Sequence, residues 1–391
     1  MTPDIDPDHL HFALSLEHAL AETGVSHVWS PHSAGTALTL LAEGSSGKVR
    51  EALARALTAR GGSLGGHVAA LDATVGAGPA ALDEGARTPD DDPGGPPALD
   101  LVSVNDLYVR QGCAVLPGFA SALAARPGSA VRSADFAAAP ERARADINTA
   151  VADVTRGMIT DLIPRGTITS ETESILVNAL WVRLMWLEPF EAEATRERVF
   201  HTPDGDRSVP TMWRSGHARV AEADGLRLLT LSGHHGLDLD IVLSEEGGTE
   251  PPALTLESHR TLREAARSET VNVALPRFRV ESGFELLEAL PDLAAVAGRP
   301  TRDLSGITGD PLRLDAIVHR AVLSVDEIGA EGAAATAVFA VAAAMPLAPP
   351  VEFVVDRPFA FVLRRGASVL FLGRITDPED PGPAGSSDRG R

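Results

Sequence analysis

The sequence is poor in cysteine and has fewer positive than negative charges, and both shortages exclude kinds of protein. Among its 391 residues Cys113 is the one cysteine, so the chain forms no internal disulfide and no thiolate zinc site. Lys48 is the one lysine, and the remaining cations are arginines. The 34 Lys+Arg against 54 Asp+Glu leave a formal charge of −20, which argues against nucleic acid and anionic membranes as partners. Without a disulfide or a thiolate zinc site, packing must hold the fold together.

Long apolar runs and a basic N-terminus are also missing. No window offers the roughly eighteen uninterrupted apolar residues of a transmembrane helix. The opening stretch, MTPDIDPDHLHFALSLEHAL, has acids where a secretion signal needs a basic region, and its apolar residues recur at helical spacing. We therefore predict the first helix of the fold here, no membrane partner, and a cytoplasmic location unless a leader was removed.

Helical and strand-like patterns occupy different parts of the chain, which predicts an α+β fold. Helical spacing dominates the first 85 residues, whereas alternation typical of strands dominates from Ile175 onward, with a helix predicted over residues 283–290. Residues 86–100, ARTPDDDPGGPPALD, predict a flexible surface loop, and residues 377–391 predict a disordered tail. Helices mostly first and strands mostly last favour several antiparallel sheets.

The sequence has no complete short motif of an enzyme or a metal site. AEGSSGKVR, residues 42–50, lacks the first glycine and the magnesium-binding hydroxyl of a phosphate-binding loop. GHHG, residues 233–236, is better interpreted as a turn than as a metal site, because adjacent histidines point apart on a strand. No nucleophile-and-base motif is recognisable. We expect no enzyme activity, no catalytic residue, no metal and no cofactor.

An alanine-rich ribbon, EIGAEGAAATAVFAVAAAMPLAPP, occupies residues 327–350. A buried or amphipathic helix is one interpretation, because alanine has the highest helix propensity. A membrane span is excluded by the short distance to Pro346. A third interpretation depends on the rest of the chain.

Several separate blocks, in the right order, resemble the serpin family of protease inhibitors. They are WSPHSAGTALTLLAEGSSGKVREAL (29–53), DFAAAPERARADINTAVADVTRGMITDLI (135–163), VNALWVRLMWLEPFEAEAT (177–195), LPRF (275–278), DLSGI (303–307), HRAVLSVDEIGAEGAAATAV (319–338), DRPFAFVL (356–363) and LFLGRITDP (370–378). Ala150 replaces the family's usual Trp and Leu184 its usual Gly, and we interpret both as changes in packing. Together the blocks run from about residue 10 to residue 378.

The resemblance implies both a fold and a function. The implied fold is one serpin domain over residues 1–376, with about eight to nine helices around three mainly antiparallel sheets and an exposed reactive-centre loop. The implied function is suicide-type inhibition of serine proteases: the target cuts the loop, and the cleaved loop inserts into the central sheet while the protease is still an acyl-enzyme. We expect a monomer, with loop-sheet polymerisation as an open route.

The same resemblance makes the alanine ribbon the hinge and the reactive-centre loop. Insertion as a strand needs small residues without proline, and alternation would turn Thr336 inward and Glu331 towards solvent. Gly332 stands where alanine is usual, which costs roughly 0.5–1 kcal/mol in backbone entropy. The implied hinge residues are Glu327, Gly329, Ala330, Glu331, Gly332, Ala333, Ala334, Ala335 and Thr336.

Two further groups carry over by matching positions. The implied shutter, a polar group where the sheet must part, comprises Ser30, Ser33, Asn178 and His319. The implied breach, where insertion begins, comprises Trp186, Arg277 and Glu327, with an ion pair expected between the last two. For His319 an ordinary buried polar histidine is almost the same statement, because the shutter is itself a buried network.

The family's usual spacing from Glu327 predicts a reactive bond between Ala343 and Ala344. Counting back from Arg357 leads instead to Leu347, and Met345 is the other alternative. Small residues before the bond favour elastase-like or subtilisin-like serine proteases as partners. The alternative function is that of a non-inhibitory serpin that acts as a carrier or chaperone-like binding protein. Gly332 is the one hinge residue that favours this alternative.

Overall fold

The computed structural model describes residues 5–59, 62–76, 101–126, 128–182, 184–245, 247–329 and 349–382. The surface loop predicted over residues 86–100 lies outside these ranges. So do the hinge residues from Ala330 to Thr336 and the reactive-bond candidates Ala343, Ala344, Met345 and Leu347.

The described ranges contain nine α-helices. They are α1 (Pro7–Leu20), α2 (Pro31–Glu43), α3 (Gly47–Leu57), α4 (Leu64–Gly76), α5 (Pro117–Ala124), α6 (Pro140–Val154), α7 (Leu256–Ala265), α8 (Pro291–Ala297) and α9 (Ser305–Thr308). Several begin at a proline, whose fixed φ and missing N–H suit the first turn of a helix. In α1 and α2 a side chain before the proline, Asp6 or Ser30, also caps the first turn.

The same ranges contain fourteen strands. They are β1 (His27–Trp29), β2 (Leu101–Arg110), β3 (Ser129–Ala134), β4 (Ser174–Val182), β5 (Arg196–Thr202), β6 (Gly205–Ala223), β7 (Leu226–Ser232), β8 (Leu237–Ser244), β9 (Arg267–Pro276), β10 (Phe278–Glu285), β11 (Ala316–Val325), β12 (Val351–Val354), β13 (Phe359–Arg365) and β14 (Ser368–Ile375). The helix predicted over residues 283–290 is wrong, because β10 continues to Glu285 and α8 begins at Pro291.

Hydrogen bonding organises the strands into two sheets rather than the expected three. The larger sheet has the order β1-β14-β13-β8-β7-β6-β9-β12, and β5 pairs with β6. The 19-residue strand β6 pairs with β5 at its start, with β9 in its middle and with β7 at its end. One long strand thus joins two groups of strands that otherwise count as separate sheets.

The smaller sheet carries the region of interest. Its order is β10-β11-β4-β2-β3, and its two central strands, β11 and β4, are parallel. Alternate residues of β4 face opposite sides. Leu176 belongs to the hydrophobic cluster that contains residues of α1 and α2, whereas Ile175 and Val177 belong to the cluster that contains Ile147 of α6. Because both faces are covered, β4 is apolar almost throughout its length.

The start of the segment predicted as a tail, residues 377–391, contacts the edge of the smaller sheet. Residues 377–382 lie beside the start of β10, where the backbone N–H of Arg279 donates to the carbonyl oxygen of Glu379 at 2.8 Å. Arg207 pairs with Asp377, and Asp380 lies 3.7 Å from Arg277. Basic residues in and beside the sheets thus pair with acidic residues at the start of this segment.

Candidate functional site

The seam between β4 and β11 is the centre of the candidate site. The two strands pair directly from Ile175 opposite Ala316 to Trp181 opposite Val322, and Asn178 stands opposite His319 in the middle. A strand that is antiparallel to both neighbours fits only between two strands that are parallel to each other. This seam therefore has the polarity needed to accept one more strand, if the direct pairing opens.

His319 joins the two sides of the seam to the helix behind them. Its Nε2 accepts a hydrogen bond from the backbone N–H of Ser30 at 3.0 Å, and its Nδ1 pairs with Oδ1 of Asn178. Burial lowers the pKa of His319 from 6.5 to about 3, so the ring is neutral at ordinary pH. Because Nε2 accepts, the single ring proton is on Nδ1 and points towards Asn178.

Ser30 and Ser33 complete the polar cluster from the start of α2. Ser30 caps the helix, with its hydroxyl accepting from the backbone N–H of Ser33 at 3.0 Å. The Asn178 amide donates to the Ser33 hydroxyl at 2.7 Å and to the Ser33 carbonyl at 2.9 Å. All four residues expected at the shutter thus lie in one buried network.

Two members of this network escaped the sequence analysis. Asn105, opposite Asn178 on β2, is buried, and the two amide side chains contact each other. Trp29 packs edge-on against the ring of His319, with the ring centroids 6.4 Å apart. An amide in the middle of the buried strand LVSVNDLYV was a signal for Asn105, because buried polar side chains need partners.

The end of the seam at which β4 and β11 both finish contains the three residues expected at the breach. Nη2 of Arg277 lies 2.6 Å from Oε1 of Glu327, and Nε of Arg277 lies 2.7 Å from the same oxygen. The hydroxyl of Thr195 also donates to this oxygen, at 2.5 Å. The other carboxylate oxygen, Oε2, has no hydrogen-bond partner among the described residues. Because the Glu327 carboxylate is buried, its charge would be unpaired and strongly destabilising without Arg277.

Trp186 connects this ion pair to the segment that follows β4. Its indole Nε1 donates to the carbonyl of Asp326 at 2.9 Å, and its backbone N–H donates to the carbonyl of Ile328 at 3.1 Å. The backbone N–H of Phe190 donates to the carbonyl of Glu327 at 2.8 Å. The residues after β11 are therefore bound directly to those after β4.

A tight turn ends this described range of the chain. The side chain of Asp326 accepts from the backbone N–H groups of Ile328 and Gly329, both at 3.0 Å. Gly329 has φ +107°, and a Cβ there would lie 2.2 Å from the carbonyl oxygen of Leu184. Only glycine fits this position, because it needs both a positive φ and a close backbone approach. The described chain thus reaches Gly329 at the mouth of the seam.

The remaining motif near the seam, GHHG at residues 233–236, lies in a turn between β7 and β8. Residues His234–Gly236 form a short 3-10 turn, and the backbone N–H of His234 donates to the carbonyl of Met185 at 2.8 Å. Within the described ranges, no three His, Cys, Asp or Glu residues are arranged to hold a metal ion. None of the helices in those ranges is long and apolar enough to cross a membrane.

Comparison with known proteins identifies the class. The family model described as Serpin (serine protease inhibitor) matches residues 8–378, and the chain belongs to the serpin family. This confirms the predicted family and the α+β serpin fold.

Relatives in that family come from distant organisms. A serpin-like protein of Thermococcus kodakarensis is 31% identical over 377 residues, covering 94% of this chain and 84% of the relative. The leukocyte elastase inhibitor of Bos taurus is 31% identical over 369 residues, covering 89% of this chain and 92% of the relative. Serpin48 of Tenebrio molitor, described as highly specific, superposes with a TM-score of 0.76 at 25% identity, covering 95% of this chain and 97% of that structure.

Proposed function

We propose that this serpin is a suicide-type inhibitor of serine proteases that traps its target by inserting the cleaved reactive-centre loop between β4 and β11. The observation that carries the proposal is the parallel pairing of β4 with β11, with the chain leaving β11 at the mouth of their seam. The small-residue hinge sequence begins there. If the chain turns back after β11, a strand that starts at residue 330 runs antiparallel to both β4 and β11.

Insertion replaces one ladder of hydrogen bonds by two. The seven residue pairs between Ile175 and Trp181 on β4 and their partners on β11 separate. The new strand then pairs on both of its edges, and its inward side chains are buried. The uncut protein therefore lies above a more stable form and persists because the barrier to opening is high.

Until the loop is cut, the protease carries out the first steps of its ordinary reaction with a substrate. The protease serine attacks the carbonyl carbon of Ala343, the peptide nitrogen of Ala344 leaves with a proton, and an ester joins Ala343 to the protease. Insertion then pulls the tethered protease and distorts its active site, including the oxyanion hole that ester hydrolysis needs. The ester survives, and the inhibitor is consumed.

We further propose elastase-like or subtilisin-like targets. Val341, Ala342 and Ala343 suit an enzyme with a shallow specificity pocket, and no Lys or Arg lies between Glu327 and Arg357 to suit a trypsin-like enzyme. The leukocyte elastase inhibitors among the relatives support the same class. Cleavage after Met345 is disfavoured because Pro346 follows it.

A second candidate is a carrier or chaperone-like protein with the same fold. Gly332 favours this candidate, because glycine gains less than alanine on becoming a buried strand. Slow insertion would let the protease complete hydrolysis, and the protein would then act as a substrate.

The two candidates separate in one experiment. The protein is mixed with an elastase-type protease at increasing ratios and analysed by denaturing electrophoresis, with protease whose active-site serine is chemically blocked as the control. Inhibition predicts a band that combines the two proteins, survives boiling in detergent and is absent with blocked protease. A clipped protein beside fully active protease would reject inhibition.

The position of the cut is read from the same mixture. Mass spectrometry of the released C-terminal fragment should find Ala344 as its first residue. A first residue of Pro346 would move the bond to the Met345 alternative, and a first residue of Ala348 would move it to the Leu347 alternative.

A further inference from the structure

Three histidines outside the proposed inhibitory site form a buried cluster of their own. His9 lies on α1, His32 on α2 and His67 on α4, and each side chain is at most 2% exposed. Nδ1 of His9 lies 3.1 Å from Nε2 of His67. The hydroxyl of Ser368 on β14 bridges the rings of His32 and His9, at 3.0 Å from Nδ1 of His32 and 3.2 Å from Nε2 of His9.

The partners of this chain fix where its protons are. Nδ1 of His67 faces the carbonyl oxygen of Leu57, which only accepts, so this nitrogen carries the proton and Nε2 of a neutral His67 accepts. Nδ1 of His9 must then donate to it, which leaves Nε2 of His9 to accept from the Ser368 hydroxyl. Nδ1 of His32 donates to Ser368 in turn. With the three rings neutral these three links are all satisfied, although Nε2 of His9 then faces the carbonyl oxygen of Val369, 3.3 Å away, as a second acceptor.

A second charge breaks the chain. One added proton is accommodated, because a His67 that donates from Nε2 can be met by His9 in its other tautomer, whose Nε2 then donates to the carbonyl oxygen of Val369 at 3.3 Å. With His9 charged as well, its Nδ1 and Nε2 of His67 are two donors 3.1 Å apart, and two donors cannot share a hydrogen bond. Charging more than one ring also places like charges side by side in the core, where repulsion is strong.

The charged groups around the cluster do not neutralise it. Burial and the neighbouring histidines lower the pKa of His9 well below its usual value. Burial lowers the pKa of His32 to about 4, with His67 and Arg365 adding to the shift. Burial also lowers the pKa of His67, although Asp6 and Asp8 at the start of α1 oppose the change. Both aspartates already accept backbone N–H groups.

We propose that His9, His32 and His67 form a proton-operated lock, which holds α1 and α4 against α2 while the rings are neutral and releases these two helices in acid. Rings exposed by the release would titrate near 6.5, above their values in the closed fold. The open form therefore binds more protons, and the lock is complete above pH 6.5 and weakens as pH falls below it. This lock concerns the uncut fold and does not depend on the proposed function.

Hydrogen exchange of backbone amides in the full-length, uncut protein tests the lock. Opening of α1 and α4 is compared between pH 7.5 and pH 5.5 after correction for intrinsic exchange rates, with amides of β9, which contains no histidine, as the internal reference. Each histidine that takes up a proton on opening should increase the opening constant about tenfold over this interval. We expect at least a tenfold increase in α1 and α4, and a smaller one in β9.

Two variants locate the effect. In His67→Gln the side-chain oxygen takes the place of the accepting nitrogen and cannot be protonated, so the ratio between the two pH values should fall about tenfold. His18→Gln, on the exposed side of α1, should leave the ratio unchanged. Equal protection of α1 at both pH values, or an unchanged ratio in His67→Gln, overturns the lock. If His67→Gln does not fold, NMR titration of the wild-type rings decides. Three rings still neutral in the closed protein at pH 5.5 support the lock, and ordinary titration near 6.5 without helix opening refutes it.

Discussion

Asn178 and His319 stand opposite each other across the seam between β4 and β11, and the Nδ1 proton of His319 points to the Asn178 side-chain oxygen. The link joins two parallel strands at the point where the proposed insertion must separate them. Ser30 and Ser33 tie the same pair to α2. A polar link at this place opposes premature opening, because its groups are buried and have no water to replace a lost partner.

Replacing His319 by alanine should destabilise the uncut protein. The change leaves the N–H of Ser30 without an acceptor and creates a cavity in a closed site, which together should cost about 2–4 kcal/mol. His201→Ala is the matched control, because His201 is an exposed residue on β5 that pairs with Asp206; its loss should be within about 0.5 kcal/mol. Calorimetry at one scan rate compares the melting temperatures. Equal melting temperatures for the two variants would show that His319 does not hold the seam.

Replacing Arg277 by methionine should also lower the melting temperature, at the other end of the seam. Glu327 is 1% exposed, and losing its cation leaves a buried carboxylate unpaired, at a cost of about 3–5 kcal/mol. The double variant Arg277→Met/Glu327→Gln removes the charge as well and should recover much of the loss. Thermal melts of wild type, single and double variants provide the cycle. A double variant as unstable as the single one contradicts the ion-pair argument.

Replacing Gly329 by alanine tests the turn that leads into the hinge. The new Cβ would collide with the carbonyl of Leu184, in addition to the strain of a positive φ, so the loss should exceed about 1–3 kcal/mol. Gly112→Ala is the control for φ alone, because Gly112 has φ +95° with nothing within 4 Å of the added Cβ. Urea denaturation measures both. Similar losses at the two sites would mean that the close approach at Leu184 is unimportant.

If the protein is the inhibitor proposed above, replacing Thr336 by arginine should convert it into a substrate. Alternation turns Thr336 towards the core once the loop is inserted, and a buried unpaired charge would stop insertion at that residue. Ala335→Arg, which alternation turns outward, should still inhibit. The stoichiometry of inhibition against an elastase-type protease measures the difference. If both variants inhibit equally well, the assigned facing is wrong.

Sequence patterns predicted the family, because its motifs are contiguous in the sequence. The same motifs contain Ser30, Ser33, Asn178 and His319, which is why these residues could be singled out before their contacts were known. The patterns did not predict that β6 joins two groups of strands, since only tertiary pairing shows where a long strand changes partners. His9, His32 and His67 lie in three separate helices, and no local spacing announces their contact. Thr195 ends a recognised block, but its bond to Glu327 spans 132 residues of sequence.

Loop insertion is tested most directly by the crystal structure of the protein after a protease has cleaved the proposed reactive-centre loop. In that structure the segment from residue 330 to the cut should lie as a strand between β4 and β11, antiparallel to both, with Asn178 and His319 no longer paired. A cleaved structure in which β4 and β11 are still paired directly, with Asn178 opposite His319, would contradict insertion.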